Sequence, residues 1–126
     1  MDVNPGNNEP PMETFEHGVM ERDQHRQYYV YLKRNATIIG LVEWVDYPWE
    51  RASSFVVNLE VKKKYRLQGR GRRLMAYMAR LLVNRRIWNV VLDNCADAGN
   101  TFYEALGFIY SSDMDNEMRI KTCQLL

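Results

Sequence analysis

The sequence is poor in cysteine and histidine and contains no long hydrophobic run. Its two cysteines, Cys95 and Cys123, form no CxxC pair and have no companion histidine cluster, which argues against a disulfide framework and a zinc site. No stretch approaches the roughly 18 apolar residues that a membrane-spanning helix needs, and the N-terminus is polar rather than a signal peptide. We therefore expect a cytoplasmic protein that binds neither a metal nor a membrane.

The chain also has almost no net charge. Lys and Arg number 17 against 16 Asp and Glu, a balance that argues against a protein that coats nucleic acid. With 126 residues, 46% of them hydrophobic, the sequence predicts a single domain over residues 1–126 with a polar tail at 1–11. The basic residues are nevertheless concentrated in one segment, as Lys62, Lys63, Lys64, Arg66, Arg70, Arg72 and Arg73.

The hydrophobic pattern beyond an ambiguous segment, residues 12–27, predicts alternating strands and helices. β-Branched and aromatic runs predict strands at 28–33, 37–44, 53–61, 88–92, 108–110 and 118–122, and helical spacing predicts helices at 71–85 and 97–106. This order predicts a mixed α/β fold whose central strand–helix–strand crossover is right-handed and joins parallel strands.

The segment Arg66-Leu67-Gln68-Gly69-Arg70-Gly71 joins a predicted strand to a predicted helix. The first N–H groups of a helix lack intrahelical partners and attract anions, and glycines let a phosphate approach the main chain. A dinucleotide fingerprint is excluded because Leu74 stands where its third glycine would be, and a P-loop is excluded because Gly-Lys-Ser/Thr is absent. The remaining pattern is R-x-x-G-x-G.

This pattern resembles the pyrophosphate-binding signature Q/R-x-x-G-x-G/A of the GCN5-related N-acetyltransferase (GNAT) family, which lies between that family's fourth strand and third helix. The segment from Phe102 to Phe108 resembles a second family motif that ends in Y-x-x-x-G-F, and the hairpin over residues 31–43 resembles the family's second and third strands. The resemblance covers roughly residues 28–122. It implies a mixed, mostly antiparallel sheet whose fourth and fifth strands splay apart, flanked by helices.

The resemblance also implies transfer of an acetyl group from acetyl-coenzyme A to an amine by direct attack. By residue match, Tyr103 would protonate the departing thiolate. The family's pantetheine-binding Asn falls on Ala96, so Asn94 or Asn100 would replace it. The other implied coenzyme A ligands are Leu59, Glu60, Val61, Arg66, Leu67, Gln68, Gly69, Arg70, Gly71 and Arg72.

The general base is less well defined. The family positions on the fourth strand hold Val57 and Phe55, which accept no proton, and strand alternation predicts that Glu60 faces away from both. Asp93, directly after the predicted strand at 88–92, resembles an acidic residue at the end of the family's fifth strand and is the candidate base. Glu43 is the reserve, and a water chain without a protein base is a third alternative.

Fewer than 28 residues precede Tyr28, whereas the family normally places a strand and two helices there as a wall of the acceptor site. We expect these helices to be shortened or absent. The acceptor side would then be open to a protein or peptide amine, or completed by a partner subunit in a homodimer; a small amine such as an amino sugar or polyamine is the alternative. A nucleic-acid-binding module that uses residues 62–73 is the competing class, against which the net charge and the placement of the motif argue.

Overall fold

The computed structural model describes residues 12–22, 25–47, 49, 52–92, 100–111 and 114–126. These parts of the chain form one seven-stranded sheet and two α-helices. The strands are β1 (Glu13–Glu21), β2 (Arg26–Arg34), β3 (Thr37–Tyr47), β4 (Ser53–Val61), β5 (Asn89–Leu92), β6 (Ile109–Ser111) and β7 (Met114–Lys121). The helices are α1 (Arg70–Asn84) and α2 (Asn100–Leu106), with short 3₁₀ turns at Lys63–Tyr65 and Thr122–Leu125.

The strand order is β1-β2-β3-β4-β5-β7-β6, and every pair is antiparallel except β4 with β5. The mixed, mostly antiparallel sheet and its parallel crossover through α1 are therefore confirmed. β4 pairs with β5 only from Ser53 to Val56, so residues 57–61 of β4 continue beyond the last pair. This divergence leaves one side of the β4 backbone without a partner among the strands that the structure describes.

β1 is a strand that the sequence left ambiguous. It pairs with β2 in continuous register from Glu13 opposite Arg34 to Glu21 opposite Arg26. Since β1 ends at Glu21 and β2 begins at Arg26, the connection is too short for the two helices that the family resemblance places between these strands. The expectation of absent N-terminal helices is confirmed at this position.

The core lies between one face of the sheet and α1. The apolar stripe of the helix packs on side chains of β2 and β3, because the residues at helical spacing meet those at alternate strand positions. The fully buried members are Val30, Leu32, Val42, Trp44, Leu74, Met75, Met78 and Leu82. Packing of α1 on this face fixes the start of the helix beside the free end of β4.

A β-bulge in β4 reverses the predicted orientation of one candidate residue. Glu43 lies opposite Asn58 and Trp44 lies opposite Val56, so Val57 is an extra residue in β4. Glu60, opposite Leu41, and Phe55, opposite Val45, therefore share the face away from α1. The prediction that Glu60 faces away from Phe55 is wrong, because an inserted residue shifts the alternation by one position. We refer to this face, which carries Tyr29, Tyr31, Glu43, Phe55 and Glu60, as the open face.

Candidate active site

An open cleft of about 520 Å³ lies where the end of β4, the loop before α1 and one side of α2 meet. It gathers most of the residues that the sequence analysis assigned to coenzyme A, together with the candidate acid. The predicted residues that line it are Leu59, Glu60, Val61, Arg66, Leu67, Gly69, Arg70, Gly71, Arg72 and Tyr103. Tyr65, Phe102, Ala105 and Leu106 complete the lining; their side chains had no assigned role, although each lies in or beside a quoted motif.

A second cavity, of about 590 Å³, lies elsewhere, between β2, β3 and the end of α1. Its lining charges include Asp46 and Arg85, which pair with each other at 2.8 Å. The 520 Å³ cleft is the better candidate because it is bordered by a helix N-terminus and by exposed cations.

The start of α1 is suited to an anion. Gly69 is the N-cap with φ 80° and provides no side-chain cap, and the first turn contains no acidic residue. The first intrahelical bond runs from the Arg73 amide to the Gly69 carbonyl at 3.0 Å, so the preceding amides have no intrahelical acceptor. A Cβ atom at Gly69 would meet nothing within 4 Å. The amides are thus approachable at the positive end of the helix dipole.

The loop that leads into α1 carries unusual backbone geometry. Leu67 has φ 63° although it is not glycine, and its side chain is fully exposed. Two left-handed residues, Leu67 and Gly69, thus stand close together, and turns of this kind direct backbone N–H groups into a concavity. Strained residues of this type cost about 1–3 kcal/mol and persist where the surroundings hold them.

The arginines of the loop are not equivalent. Arg66 is exposed, and its Nε donates to the Val61 carbonyl at 2.7 Å, which joins the loop to the end of β4. Arg72 is also exposed. Arg70 is buried, and its guanidinium binds Glu13 of β1. The Arg70 side chain is therefore engaged within the protein, and its backbone amide is the group it offers at the helix start.

Glu13 is the residue that the sequence analysis missed. The hydrogen bond from Arg70 holds the pKa of the Glu13 carboxyl below its usual value, against the opposing effect of burial. The same bond raises the pKa of Arg70. No local sequence pattern indicates this ion pair, because Glu13 lies in the acidic, ambiguous segment and is 57 positions from Arg70.

Tyr103 lies on α2 beside the cleft, half-buried and in contact with aromatic neighbours. Its ring meets Phe102 and Phe108 edge-on, with centroid distances of 5.2 and 5.4 Å. A Cβ atom at Gly71 would stand 3.0 Å from the Phe102 ring, so the missing side chain lets α2 approach the start of α1. This close approach brings Tyr103 to the same cleft as the start of α1.

The remaining predicted site residues are Asp93, Asn94, Asn100, Glu43 and Gln68. Asp93 and Asn94 lie outside the described residues, and Asn100 is the first residue of α2. Glu43 is half-buried on the open face and accepts hydrogen bonds from Gln27 at 3.2 Å and Asn58 at 3.4 Å. Gln68, predicted as a ligand, accepts a hydrogen bond from Arg70.

The described residues contain neither a metal-binding group nor a membrane-spanning helix. Within them, no group of three or more His, Cys, Asp or Glu side chains is arranged to hold a metal ion. No helix in the described parts of the chain is long and apolar enough to cross a membrane.

Comparison with known proteins identifies the family. The model of the acetyltransferase (GNAT) domain matches residues 24–110. The fold is similar to a GNAT-family acetyltransferase from Staphylococcus aureus Mu50, with TM-score 0.66 and 16% identity over 76% of this chain and 68% of that one. It is also similar to the PaiA N-acetyltransferase of Thermoplasma acidophilum in complex with coenzyme A, with TM-score 0.64 and 19% identity over 75% of this chain and 60% of that one.

A third similar structure is N-acetylglutamate synthase from Neisseria gonorrhoeae complexed with coenzyme A and N-acetyl-glutamate, with TM-score 0.65 and 13% identity over 75% of this chain and 25% of that one. No curated protein sequence matches the chain. At these identities the structural likeness shows the fold, while the family match spans well over half of the sequence. The chain therefore belongs to the GNAT acetyltransferase family, and it is an acyltransferase.

Proposed function

We propose that the protein transfers the acetyl group of acetyl-coenzyme A to a primary amine, which attacks the thioester directly. The observation that carries this proposal is the cleft in which an acid-free, cation-flanked helix start lies beside the unpaired end of β4 and beside Tyr103. Two solved structures with this fold, from T. acidophilum and N. gonorrhoeae, contain coenzyme A. Acetyl-coenzyme A supplies the activated acyl group.

The chain's own residues have distinct roles in this proposal. The amides around Gly69 and Gly71 hold the pyrophosphate, and Arg66 and Arg72 add positive charge at the exposed rim. The backbone of Leu59, Glu60 and Val61 pairs with the pantetheine arm on the side where β4 has left β5. Gln68 supports the loop by accepting a hydrogen bond from Arg70. Asn100, in the first turn of α2, binds the pantetheine arm in place of the family's Asn.

Proton transfer involves two further groups. Tyr103 donates its phenolic proton to the leaving thiolate, which is less basic than a phenolate. The acceptor ammonium must lose a proton before it attacks, and we assign this step to Asp93, with Glu43 or a water chain as the alternatives.

We propose a protein or peptide amine as the acceptor. The direct connection from β1 to β2 removes the helices that would enclose this side, and the open face carries the acidic residues Glu43 and Glu60, which suit a cationic acceptor. A small amine, or a second copy of the chain that completes the site as a homodimer, is the alternative. Light scattering of the purified protein tests for the homodimer.

The test of coenzyme A binding uses Gly69, where an added side chain meets no atom within 4 Å. Gly69→Asp places a negative charge beside the proposed pyrophosphate site, and Gly69→Asn is its neutral match in shape, which tolerates the left-handed backbone. In calorimetric titrations with coenzyme A we expect at least about a hundredfold weaker binding for the Asp variant than for the Asn variant. Equal affinities would contradict the assignment of the loop to the pyrophosphate.

The acceptor class is tested by incubating the wild-type protein with labelled acetyl-coenzyme A and a cell lysate. We expect label in the protein fraction; label in small molecules alone would favour the small-amine alternative. Salt-dependent binding to polynucleotides without coenzyme A binding would contradict the enzyme proposal and favour the nucleic-acid module.

A further inference from the structure

A buried ion pair joins the first strand of the sheet to the loop before α1. Arg70 Nε lies 3.2 Å from each carboxylate oxygen of Glu13, and Nη2 donates to Oε2 of the same residue. The side chains of Arg70 and Glu13 are only 9% and 14% exposed. A two-point contact of this kind between a guanidinium and a carboxylate fixes direction as well as distance.

The remaining nitrogen of the same guanidinium holds the loop. Arg70 Nη1 donates to the Tyr65 carbonyl at 3.2 Å and to the side-chain carbonyl oxygen of Gln68. These two acceptors stand on either side of Leu67, the exposed residue with φ 63°. Because the Leu67 side chain makes no packing of its own, its strained backbone depends on such contacts from neighbouring residues.

Glu13 is held in place by three arginines from two other elements, α1 and β2. It also accepts hydrogen bonds from Arg34 of β2, at 3.2 Å, and from Arg73 of α1, at 3.2 Å. Two of these cations also lie against the ring of Tyr65, with centroid distances of 5.5 Å for Arg34 and 5.2 Å for Arg70. One carboxylate therefore sets the position of three arginines and, through Arg70, of the loop.

We propose that Glu13 is a positioning residue for coenzyme A binding, which acts through Arg70 to hold the loop from Tyr65 to Gly69 in its anion-binding shape. The inference rests on the proposed function, since it assigns a support to the same cofactor site. Glu13 does not contact the coenzyme; it fixes the guanidinium that spans the strained part of the loop. The effect should therefore appear in coenzyme affinity, with little change in the rate of the chemical step.

The test begins with Glu13→Gln, and Glu16→Gln serves as the matched control. Glu16 lies on the same strand and is half-exposed in its ion pair with Lys33, away from the loop before α1, so its loss should leave coenzyme binding unchanged. For Glu13→Gln we expect the dissociation constant of coenzyme A and the KM for acetyl-coenzyme A to rise about tenfold or more, with kcat little changed. Unchanged affinity in a folded Glu13→Gln protein would overturn the proposal.

A double variant separates positioning from simple stabilisation. Glu13→Leu combined with Arg70→Met removes both charges from the buried site, which commonly restores stability that a single change loses. We expect the double variant to melt near the wild-type temperature yet to keep the raised dissociation constant, because the links to Tyr65 and Gln68 are gone. Wild-type affinity in the double variant would show a purely structural role and overturn the proposal.

Titration of the wild-type protein with coenzyme A distinguishes failure of the proposed function from failure of the positioning role of Glu13. If the wild-type protein fails to bind coenzyme A, the proposed function itself fails. If the wild type binds and the Glu13 variants bind equally well, only the positioning role fails.

Discussion

The arginines around the start of α1 have the same charge and different environments. Arg70 is buried in an ion pair, Arg73 shares Glu13 and lies over the ring of Phe15 at 5.4 Å, and Arg66 bonds to the end of β4. Arg72 is exposed in the first turn. Within this segment, Arg70 and Arg73 pair with the single carboxylate of Glu13, whereas Arg66 and Arg72 keep exposed positive charge beside the cleft. Exposed cations at a helix start suit a small anionic group such as a pyrophosphate.

The phenolic oxygen of Tyr103 can be tested for a role in the chemical step by a substitution that removes this one atom. Tyr103→Phe keeps the ring that packs on Phe102 and Phe108 and removes only the phenolic oxygen. If this oxygen protonates the leaving thiolate, kcat should fall about a hundredfold or more while coenzyme A affinity stays the same. Steady-state kinetics and calorimetry measure the two quantities separately.

Tyr77→Phe is the control for this experiment. Tyr77 also loses only a hydroxyl, which lies 3.0 Å from His17 on the other side of α1. We expect no change in kcat for this variant. A Tyr103→Phe protein with the wild-type kcat would remove Tyr103 from the mechanism.

At the scale of elements, the site depends on how closely α1 and α2 approach and on where β4 leaves β5. The α1–α2 contact needs a glycine at position 71, where Phe102 fills the space of a side chain. The separation of the strands begins at Val56, next to the bulge residue Val57. Both features shape the same cleft. The glycine lets α2 bring Tyr103 close, and the separation of β4 from β5 exposes the backbone of residues 57–61.

The two loop glycines should respond differently to alanine. Gly69→Ala meets no atom but forces alanine into φ 80°, at a cost of about 1 kcal/mol, and should raise the KM for acetyl-coenzyme A. Gly71→Ala is overpacked against Phe102, which costs about 1–2 kcal/mol and displaces α2, so kcat should fall more than affinity. Thermal unfolding and steady-state kinetics of both variants check this split, and identical kinetic profiles would contradict it.

The elements differ in how far the sequence could predict them. α1 was predictable because Leu74, Met75, Met78 and Leu82 repeat at helical spacing, and its start was predictable because the glycines stand at the strand-to-helix junction. β1 was not, because its edge position leaves polar residues on both faces. The bulge at Val57 was not either, because it is a property of pairing with β3 rather than of local sequence.

At the scale of the whole molecule, the sheet has one face packed by α1, while the opposite, open face carries many half-buried and exposed side chains around the buried Val45 and Val91. The edge strand β1 is secured to the packed face by the Glu13 cluster, which links β1, β2 and α1. In this arrangement one carboxylate attaches an edge strand to α1 and, through Arg70, is linked to the loop before α1. Long-range pairs of this kind are invisible to local pattern analysis, since Glu13 and Arg70 are 57 positions apart.

The stability of the whole protein should therefore depend on pH through Glu13. Its pKa is lowered in the folded state, chiefly by the Arg70 hydrogen bond, so the unfolded chain binds the proton more readily. The stabilisation is complete above the unfolded pKa of about 4.3 and is lost as pH falls through that value toward the lower folded pKa. At pH 7 we expect Glu13→Gln to lower the free energy of unfolding by about 2–4 kcal/mol, because it leaves Arg70 buried and unpaired.

Denaturant unfolding of the wild type, Glu13→Gln and Glu16→Gln between pH 7 and pH 3 measures this dependence. The difference in free energy of unfolding between wild type and Glu13→Gln should be constant down to about pH 5. It should then shrink, since protonated Glu13 has lost the negative charge that the variant also lacks. Glu16→Gln should differ from the wild type by less than about 1 kcal/mol throughout, because Glu16 is half-exposed in its ion pair with Lys33. A Glu13→Gln deficit that persists undiminished at pH 3 would mean that the carboxylate's charge is not what secures β1 to α1.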